Sequence, residues 1–147
     1  MAHAIKQRTR SLGILATVVV AVLALGACNS AAADQDFAMI NSLRANHGLA
    51  QLGRSGELNN KAQAQADRMA NRGRIYHSTN LAAGVSPGWQ LIGENVAVAG
   101  SIEQAQSALE ASPGHLANML NGGFTEVGIG VTSRNGRVYV VQVFVGR

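Results

Sequence analysis

The chain has 147 residues, with 12 lysines and arginines, 8 acidic residues and one cysteine. Three of the basic residues stand within the first ten positions, so residues 28–147 carry nine basic residues against eight acidic ones. This near-neutral balance gives no support for nucleic-acid binding, which uses a clustered basic face, and the lone cysteine excludes an intrachain disulfide.

The N-terminal segment, residues 1–27, has the three parts of a secretory signal. Basic residues precede an uncharged apolar run over 11–25, and small residues follow it. The run is short for a membrane-spanning helix. Leu-Gly-Ala-Cys at 25–28 resembles the lipobox of bacterial lipoproteins, which implies cleavage after residue 27 and a diacylglycerol on Cys28. The protein is then extracytoplasmic, with 28–33 as a short tether to the membrane. The alternative is an ordinary signal peptide with a chance cysteine, and a secreted product.

The mature part of the chain begins with helices. Caps and apolar spacing predict four of them, over 34–47, 57–72, 101–111 and 112–120. The intervening stretch 79–93 is rich in glycine and contains Pro87-Gly88, which indicates a loop.

The last part of the chain favours strands. Residues 124–132 alternate apolar with small or polar side chains, and 137–145 is strongly β-prone. Asn135-Gly136 between them is a strong hairpin signal. Because 137–145 is apolar on both faces except at Gln142, we expect its sheet to be covered on both sides. Helices followed by an antiparallel hairpin indicate an α+β fold with helices packed on a small sheet.

Three residues are candidates for chemistry: His77, Glu94 and His115. Glu94 stands in an otherwise apolar stretch, where a buried carboxylate requires a partner. A histidine, a bound cation or backbone N–H groups would each serve. Two histidines and a carboxylate could hold zinc with positions open for water, or form a hydrogen-bonded cluster without metal. Sequence spacing does not decide between these, and the compact HExxH zinc motif is absent.

His115 stands in the first turn of the fourth predicted helix. Ser112 is a favoured N-cap, and Pro113 suits the position that follows. The positive end of the helix dipole disfavours imidazolium, so we expect a neutral ring that can accept a hydrogen bond or bind a metal. The alternative is a structural histidine bonded within its own turn. Asn118 is three residues further on and is expected on the same face, or is simply a polar helix residue.

The other polar or aromatic candidates are interpreted as structural. His47 ends the first helix, where a cation suits the helix dipole. Trp89 is interpreted as a packing anchor. Arg68, Arg72 and Arg74 are interpreted as the solvated face of a helix.

Taken in order, the motifs resemble the CAP superfamily of cysteine-rich secretory, antigen-five and pathogenesis-related proteins, in its short bacterial SCP-like form. The resemblance covers 36–145 and implies a three-layer α-β-α sandwich with a small antiparallel sheet in the middle, within a domain that spans 34–147. The motifs that carry it are NSLRANHGLAQL at 41–52, HS at 77–78, GEN at 93–95, SPGHLANMLNGGFTEVGIGV at 112–131 and VYVVQVF at 138–144.

The resemblance also implies a cleft with two histidines and an acid on its floor. His77 and His115 match the histidines, and Glu94 matches the acid of the GEN motif. Zinc or another divalent cation on these residues is the cofactor that the family pattern implies. The residues expected to support the cleft are Asn95, Ser112 and Asn118.

Departures from the family pattern bear on activity. Ser112 stands at or near the place of the second cleft acid of eukaryotic members, and Glu110 is expected to be out of register. A catalytic zinc site needs a base besides its ligands, and Glu94 cannot easily be both. The family's disulfides are absent, so the domain relies on core packing.

These features favour a non-enzymatic binding module that is anchored by lipid. Its partner is expected to be an apolar small molecule, a lipid or a protein. The alternatives are a zinc-dependent hydrolase of peptidase type, and an envelope or adhesion protein with a vestigial cleft.

Overall fold

In a computed structural model, the structure describes residues 12–147, with side chains described from Asn29 onward. The four predicted helices and the predicted hairpin are confirmed, and two further strands complete the sheet. The elements in chain order are α1 (Leu12–Asn46), β1 (Gly53–Arg54), α2 (Gly56–Arg72), β2 (Leu91–Ala99), α3 (Ile102–Glu110), α4 (Pro113–Met119), β3 (Glu126–Arg134) and β4 (Arg137–Gly146).

The first helix is longer than predicted. α1 begins at Leu12 instead of Asp34 and is continuous through 28–33, because this stretch is rich in alanine and contains neither glycine nor proline. Residues 1–11 and the side chain of Cys28 lie outside the described residues, so the start of the signal and the lipid attachment stay predictions. Within the part of the chain that the structure describes, no helix has both the length and the apolar character needed to span a membrane.

The sheet has the strand order β1-β3-β4-β2. β4 pairs antiparallel with both β2 and β3, and the short β1 adds a parallel pairing to β3. Asn135 and Gly136, which join β3 to β4, have φ angles of 52° and 70°. Positive φ at two successive residues is the backbone of a tight hairpin turn, as the Asn-Gly pair predicts.

Helices cover both faces of the sheet. Val140 and Phe144 of β4 pack in a cluster with α1, α3 and α4. Val141 and Val143 alternate with them and pack on the opposite face in a cluster with α2. The result is a three-layer α-β-α arrangement, which confirms both the α+β fold class and the prediction that β4 is covered on its two sides.

Two glycines of β3 set the separation between the sheet and α2. A Cβ built on Gly128 would lie 2.0 Å from the carbonyl carbon of Leu58, and one on Gly130 would lie 2.2 Å from the backbone nitrogen of Gln63. Backbone atoms cannot rotate away, so only glycine fits at these two positions. The Gln63 side chain in turn accepts a hydrogen bond from the backbone N–H of Val131 at 3.1 Å.

A buried arginine joins α1 to the segment that follows α4. The side chain of Arg44 is almost fully buried, and burial lowers its pKa. Its guanidinium donates to the carbonyl oxygens of Ala50 (2.8 Å), Met119 (2.8 Å) and Asn121 (2.9 Å). These bonds fix the C-terminal end of α4 and so help to position the residues at its other end.

Candidate functional site

Glu94 is the centre of the candidate site. It lies in β2, and its side chain is only 3% exposed. Its Oε1 accepts from the backbone N–H of Ser78 at 2.8 Å and lies 2.9 Å from Nδ1 of His77, while Oε2 accepts from the Ser78 hydroxyl at 2.5 Å. The sequence-based expectation that this buried carboxylate has a partner is confirmed, and the partners are a histidine, a hydroxyl and a backbone N–H.

The carboxylate of Glu94 fixes the orientation of His77. Because a carboxylate accepts hydrogen bonds, Nδ1 of His77 carries the hydrogen in this contact, and Nε2 is the ring nitrogen that faces away from Glu94. The His77 side chain is 60% exposed, so the ring reaches solvent beyond its contact with Glu94. This pairing of carboxylate and imidazole is the one that orients histidine ligands in metal sites and raises their basicity.

His115 lies in the first turn of α4, as predicted. Burial lowers the pKa of His115, and the nearby His77 lowers it further. Both effects act in the direction that the sequence predicts, because a lower pKa favours the neutral ring. Its Nδ1 is buried and has no hydrogen-bond partner among the described residues. Ser112 is at the predicted N-cap position of α4, but its side chain makes no capping hydrogen bond.

Asn95 holds α4 against the sheet. It is fully buried, and its Nδ2 donates to the carbonyl oxygen of His115 at 3.1 Å and to Oε1 of Gln142 at 3.0 Å. Its Oδ1 accepts from Nδ2 of Asn118 at 2.9 Å. Asn118 also approaches the carbonyl oxygen of Glu94 at 3.5 Å, so it links α4 to the strand that carries Glu94.

The hydrogen-bond network continues into the core. Nε2 of Gln142 donates to Oδ2 of Asp36 at 2.9 Å and to Oε1 of Gln106 at 3.1 Å. Asp36 is fully buried, and desolvation raises its pKa to about 7, with the charge of Glu110 adding to the effect and the bond from Gln142 opposing it. Sequence reasoning missed Asp36, although its spacing of four from Ile40 on α1 places it on the apolar stripe of the helix.

The remaining predicted residues lie elsewhere. Glu110 accepts from Nε2 of Gln106 at 2.8 Å and is not among the partners of Glu94 or either cleft histidine, which agrees with its being out of register. His47 bonds within its own helix to the carbonyl oxygen of Leu43. Trp89 packs on the cluster that β4 forms with α2, in agreement with a role as a packing anchor.

Metal binding at this site would depend on which side-chain atoms are not already engaged. Both oxygens of Glu94 are occupied by His77 and Ser78. Among residues 29–147, no group of three or more histidine, cysteine or acidic side chains is arranged to hold a metal. The neutral ring of His115, with its unpartnered Nδ1, and the exposed ring of His77 have lone pairs of the kind that divalent transition metals bind. Glu94 orients His77 through its contact with Nδ1.

Comparison with known proteins gives a match over most of the domain. A family model described as CAP, cysteine-rich secretory protein family, matches residues 37–144. A search of curated proteins gave no match.

Several solved structures are similar in fold. An extracellular protein containing an SCP domain from Bacillus anthracis str. Ames superposes with a TM-score of 0.75 and 25% identity; the match covers 84% of this chain and 43% of that one. An outer surface protein from Borrelia burgdorferi has a TM-score of 0.65 and 20% identity, with 76% and 89% covered. NaASP2, solved with Zn²⁺, has a TM-score of 0.58 and 18% identity, with 79% and 80% covered. This chain therefore spans less than half the length of the Bacillus protein.

Proposed function

The chain belongs to the cysteine-rich secretory protein (CAP) family, and we propose that it is a non-enzymatic binding module of the cell exterior. The proposal has three parts: a cation held between His77 and His115, a lipid anchor on Cys28, and a ligand or partner recognised at the cleft. Each part rests on its own observation and has its own test.

The observation that carries the proposal is the engagement of the buried Glu94. Its carboxylate receives three hydrogen bonds from His77 and Ser78 and its side chain is only 3% exposed, which leaves it poorly placed to activate water. Ser112, at or near the place where the family pattern has a second acid, supplies no base. A cation held by two neutral histidines and water would form an open site that can take a further ligand from a partner, which is a binding role.

Zinc titration of the purified protein by calorimetry tests the cation site. We expect one equivalent to bind, and we expect His77→Ala and His115→Ala each to abolish most of that binding. His47→Ala is the matched control, because His47 is exposed, directly follows α1 and bonds to the carbonyl oxygen of Leu43 near the end of that helix. Wild-type protein that takes up no zinc, or variants that bind it as well as wild type, would contradict the site.

The same preparations distinguish the alternatives. Hydrolysis of a peptide library that rises with zinc occupancy and is lost in His77→Ala would favour the peptidase. A protein with neither zinc binding nor a co-purifying ligand would favour an envelope or adhesion role with a vestigial cleft. Extraction of an apolar small molecule or lipid, identified by mass spectrometry, would support a carrier, and a protein captured through the cleft would support a partner-binding role.

The anchor is supported by the lipobox at 25–28. The location is supported by the likeness to a Bacillus protein described as extracellular and a Borrelia protein described as an outer surface protein. Labelling of bacteria that express the chain with a radioactive fatty acid should mark the protein, and Cys28→Ser should remove the label. A labelled Cys28→Ser variant, or an unlabelled wild type, would contradict lipidation and leave a secreted protein.

A further inference from the structure

A groove lies between α2 and the loop 76–84, on the sheet face opposite α4. Its volume is about 820 Å³. Lys61, Arg68 and Arg72 of α2 line one wall, and Tyr76 and Ser78 belong to the loop wall. The sequence alone suggested a solvated helix face for these arginines, but in the folded chain they border a concave surface.

Arg68 is held in place by a buried glutamine. Its Nε and Nη2 donate to Oε1 of Gln65 at 3.0 and 2.8 Å. Gln65 is 1% exposed, and its Nε2 donates to the carbonyl oxygen of Tyr76 at 2.6 Å. One buried side chain thus joins the guanidinium to the opposite wall of the groove, so Arg68 is preorganised, which lowers the entropy lost on binding a ligand.

The ring of Tyr76 contacts Arg72 and also Arg74, which is not among the residues that line the groove. The guanidinium carbons of Arg72 and Arg74 lie 5.0 and 5.6 Å from the centre of its ring. Contacts of this length are favourable for each arginine with the ring, but they also place two like charges near each other. The Tyr76 hydroxyl is buried and has no hydrogen-bond partner within the described chain.

The positive charges of the groove lack acidic partners. Among the described residues, neither Arg68 nor Arg72 forms an ion pair with a carboxylate. Glu57 also lines the groove and the charge of Glu94 acts on Lys61, but both carboxylates have other partners. Glu57 accepts from the backbone N–H of Ser86 and pairs with Arg147 at 3.6 Å, and the buried Glu94 is bonded to Ser78 and His77.

We propose that this groove binds a phosphate-bearing ligand through Arg68 and Arg72. A guanidinium presents a planar fork of N–H donors that matches phosphate oxygens. Several unpaired cations in one groove favour a dianionic phosphate monoester over a singly charged carboxylate. Lys61 joins α2 to the loop wall of the groove, because its Nζ donates to the carbonyl oxygens of Asn80 and Ala83 at 3.3 and 2.7 Å. Neither His77 nor His115 of the proposed cation site is among the residues that line the groove, although Ser78, which lines it, is bonded to Glu94.

Calorimetric titration of the full chain with inorganic phosphate tests the proposal. We expect saturable binding that weakens as salt rises, and a loss of about tenfold in affinity for Arg68→Gln and for Arg72→Gln, since each removes a charge-assisted contact. Arg137→Gln, at the exposed hairpin on β4, is the matched control for loss of one positive charge and should bind as wild type does. Melting curves of all four proteins confirm that they are folded.

A second arm identifies the source of the phosphate. Binding of the same proteins is compared on phosphatidylcholine vesicles with and without phosphatidic acid. If phosphatidic acid increases vesicle binding by the wild type but not by Arg68→Gln or Arg72→Gln, the ligand is a lipid headgroup. If the protein binds inorganic phosphate but phosphatidic acid does not increase vesicle binding, the ligand is a soluble phosphate compound. The proposal is overturned if neither arm depends on the two arginines, or if Arg137→Gln loses as much as they do.

Discussion

On the α2 face of the sheet, Glu94 binds the loop that carries His77, whereas on the opposite face Asn95 binds the helix that carries His115. The two residues are adjacent in β2, and alternation along a strand sends their side chains to opposite sides. The α2 face is closed by direct backbone contact at Gly128, while the other face contains a chain of buried amides and one buried acid. The adjacent residues Glu94 and Asn95 thus position both histidines. Glu94 does so on the face where α2 packs tightly on the sheet, and Asn95 does so on the face that contains the polar network.

The largest effect is expected where the two layers touch most closely. Gly128→Ala should lower the free energy of unfolding by about 3 kcal/mol or more, because the new Cβ would meet the α2 backbone at 2.0 Å. Gly53→Ala is the control, since its Cβ would lie an ordinary 3.7 Å from the nearest atom. Urea denaturation measures both, and equal midpoints would show that the α2 face is not tightly closed.

Removal of the charge at Glu94 should have the next largest effect. Glu94→Gln should cost about 2 kcal/mol, because a buried acceptor for three donor groups is replaced by an amide that satisfies fewer of them. Glu126→Gln removes a carboxylate that pairs with Arg147 at the surface and should cost about 0.5 kcal/mol or less. Chemical denaturation at pH 7 compares them, and similar costs would contradict a special role for the buried carboxylate.

Asn95→Ala should destabilise only the face of the sheet that packs against α4. Loss of its bonds to His115, Gln142 and Asn118 should speed hydrogen exchange in α4 by about tenfold, which corresponds to about 1.4 kcal/mol. The exchange of loop residues 77–78 should stay as in wild type. Asn46→Ala, an exposed asparagine on α1, serves as the control. Faster exchange in the loop as well would show that the two faces are not independent.

Asp36 predicts a pH dependence specific to the polar face. Its pKa of about 7 in the folded protein stands above the ordinary 3.8, so between pH 4 and 7 the folded state retains a proton that the unfolded state has lost. Stability should therefore fall as pH rises through this range, by about 1 kcal/mol per pH unit near its middle. Asp36→Asn should flatten this slope and be the more stable protein above pH 7, by thermal melts across pH 4–8. Parallel pH profiles for the two proteins would contradict the assignment.

The sequence predicts the fold and the chemistry of the site better than it predicts how the site is supported. Glu94 is conspicuous because a charge interrupts an apolar stretch, and His115 follows from the helix start. Asp36 could be found only by treating a charged residue as part of the apolar stripe on α1. The bond between Asn95 and Gln142 depends on the register of β2 against β4, which is set only in the folded sheet. The groove at Arg68 was missed for a similar reason, since its second wall comes from a loop.

In the proposed cation site, His77 and His115 bind one cation together, with Glu94 orienting the first of them. Nitrogen-15 NMR of the imidazole rings during zinc addition can follow both histidines at once. Before zinc, His77 should show a hydrogen on Nδ1, and the nitrogens of His77 and His115 should then shift together and saturate at one equivalent, while those of His47 do not. A response of only one of the two rings, or a His47 response equal to theirs, would show that the two histidines do not share a cation.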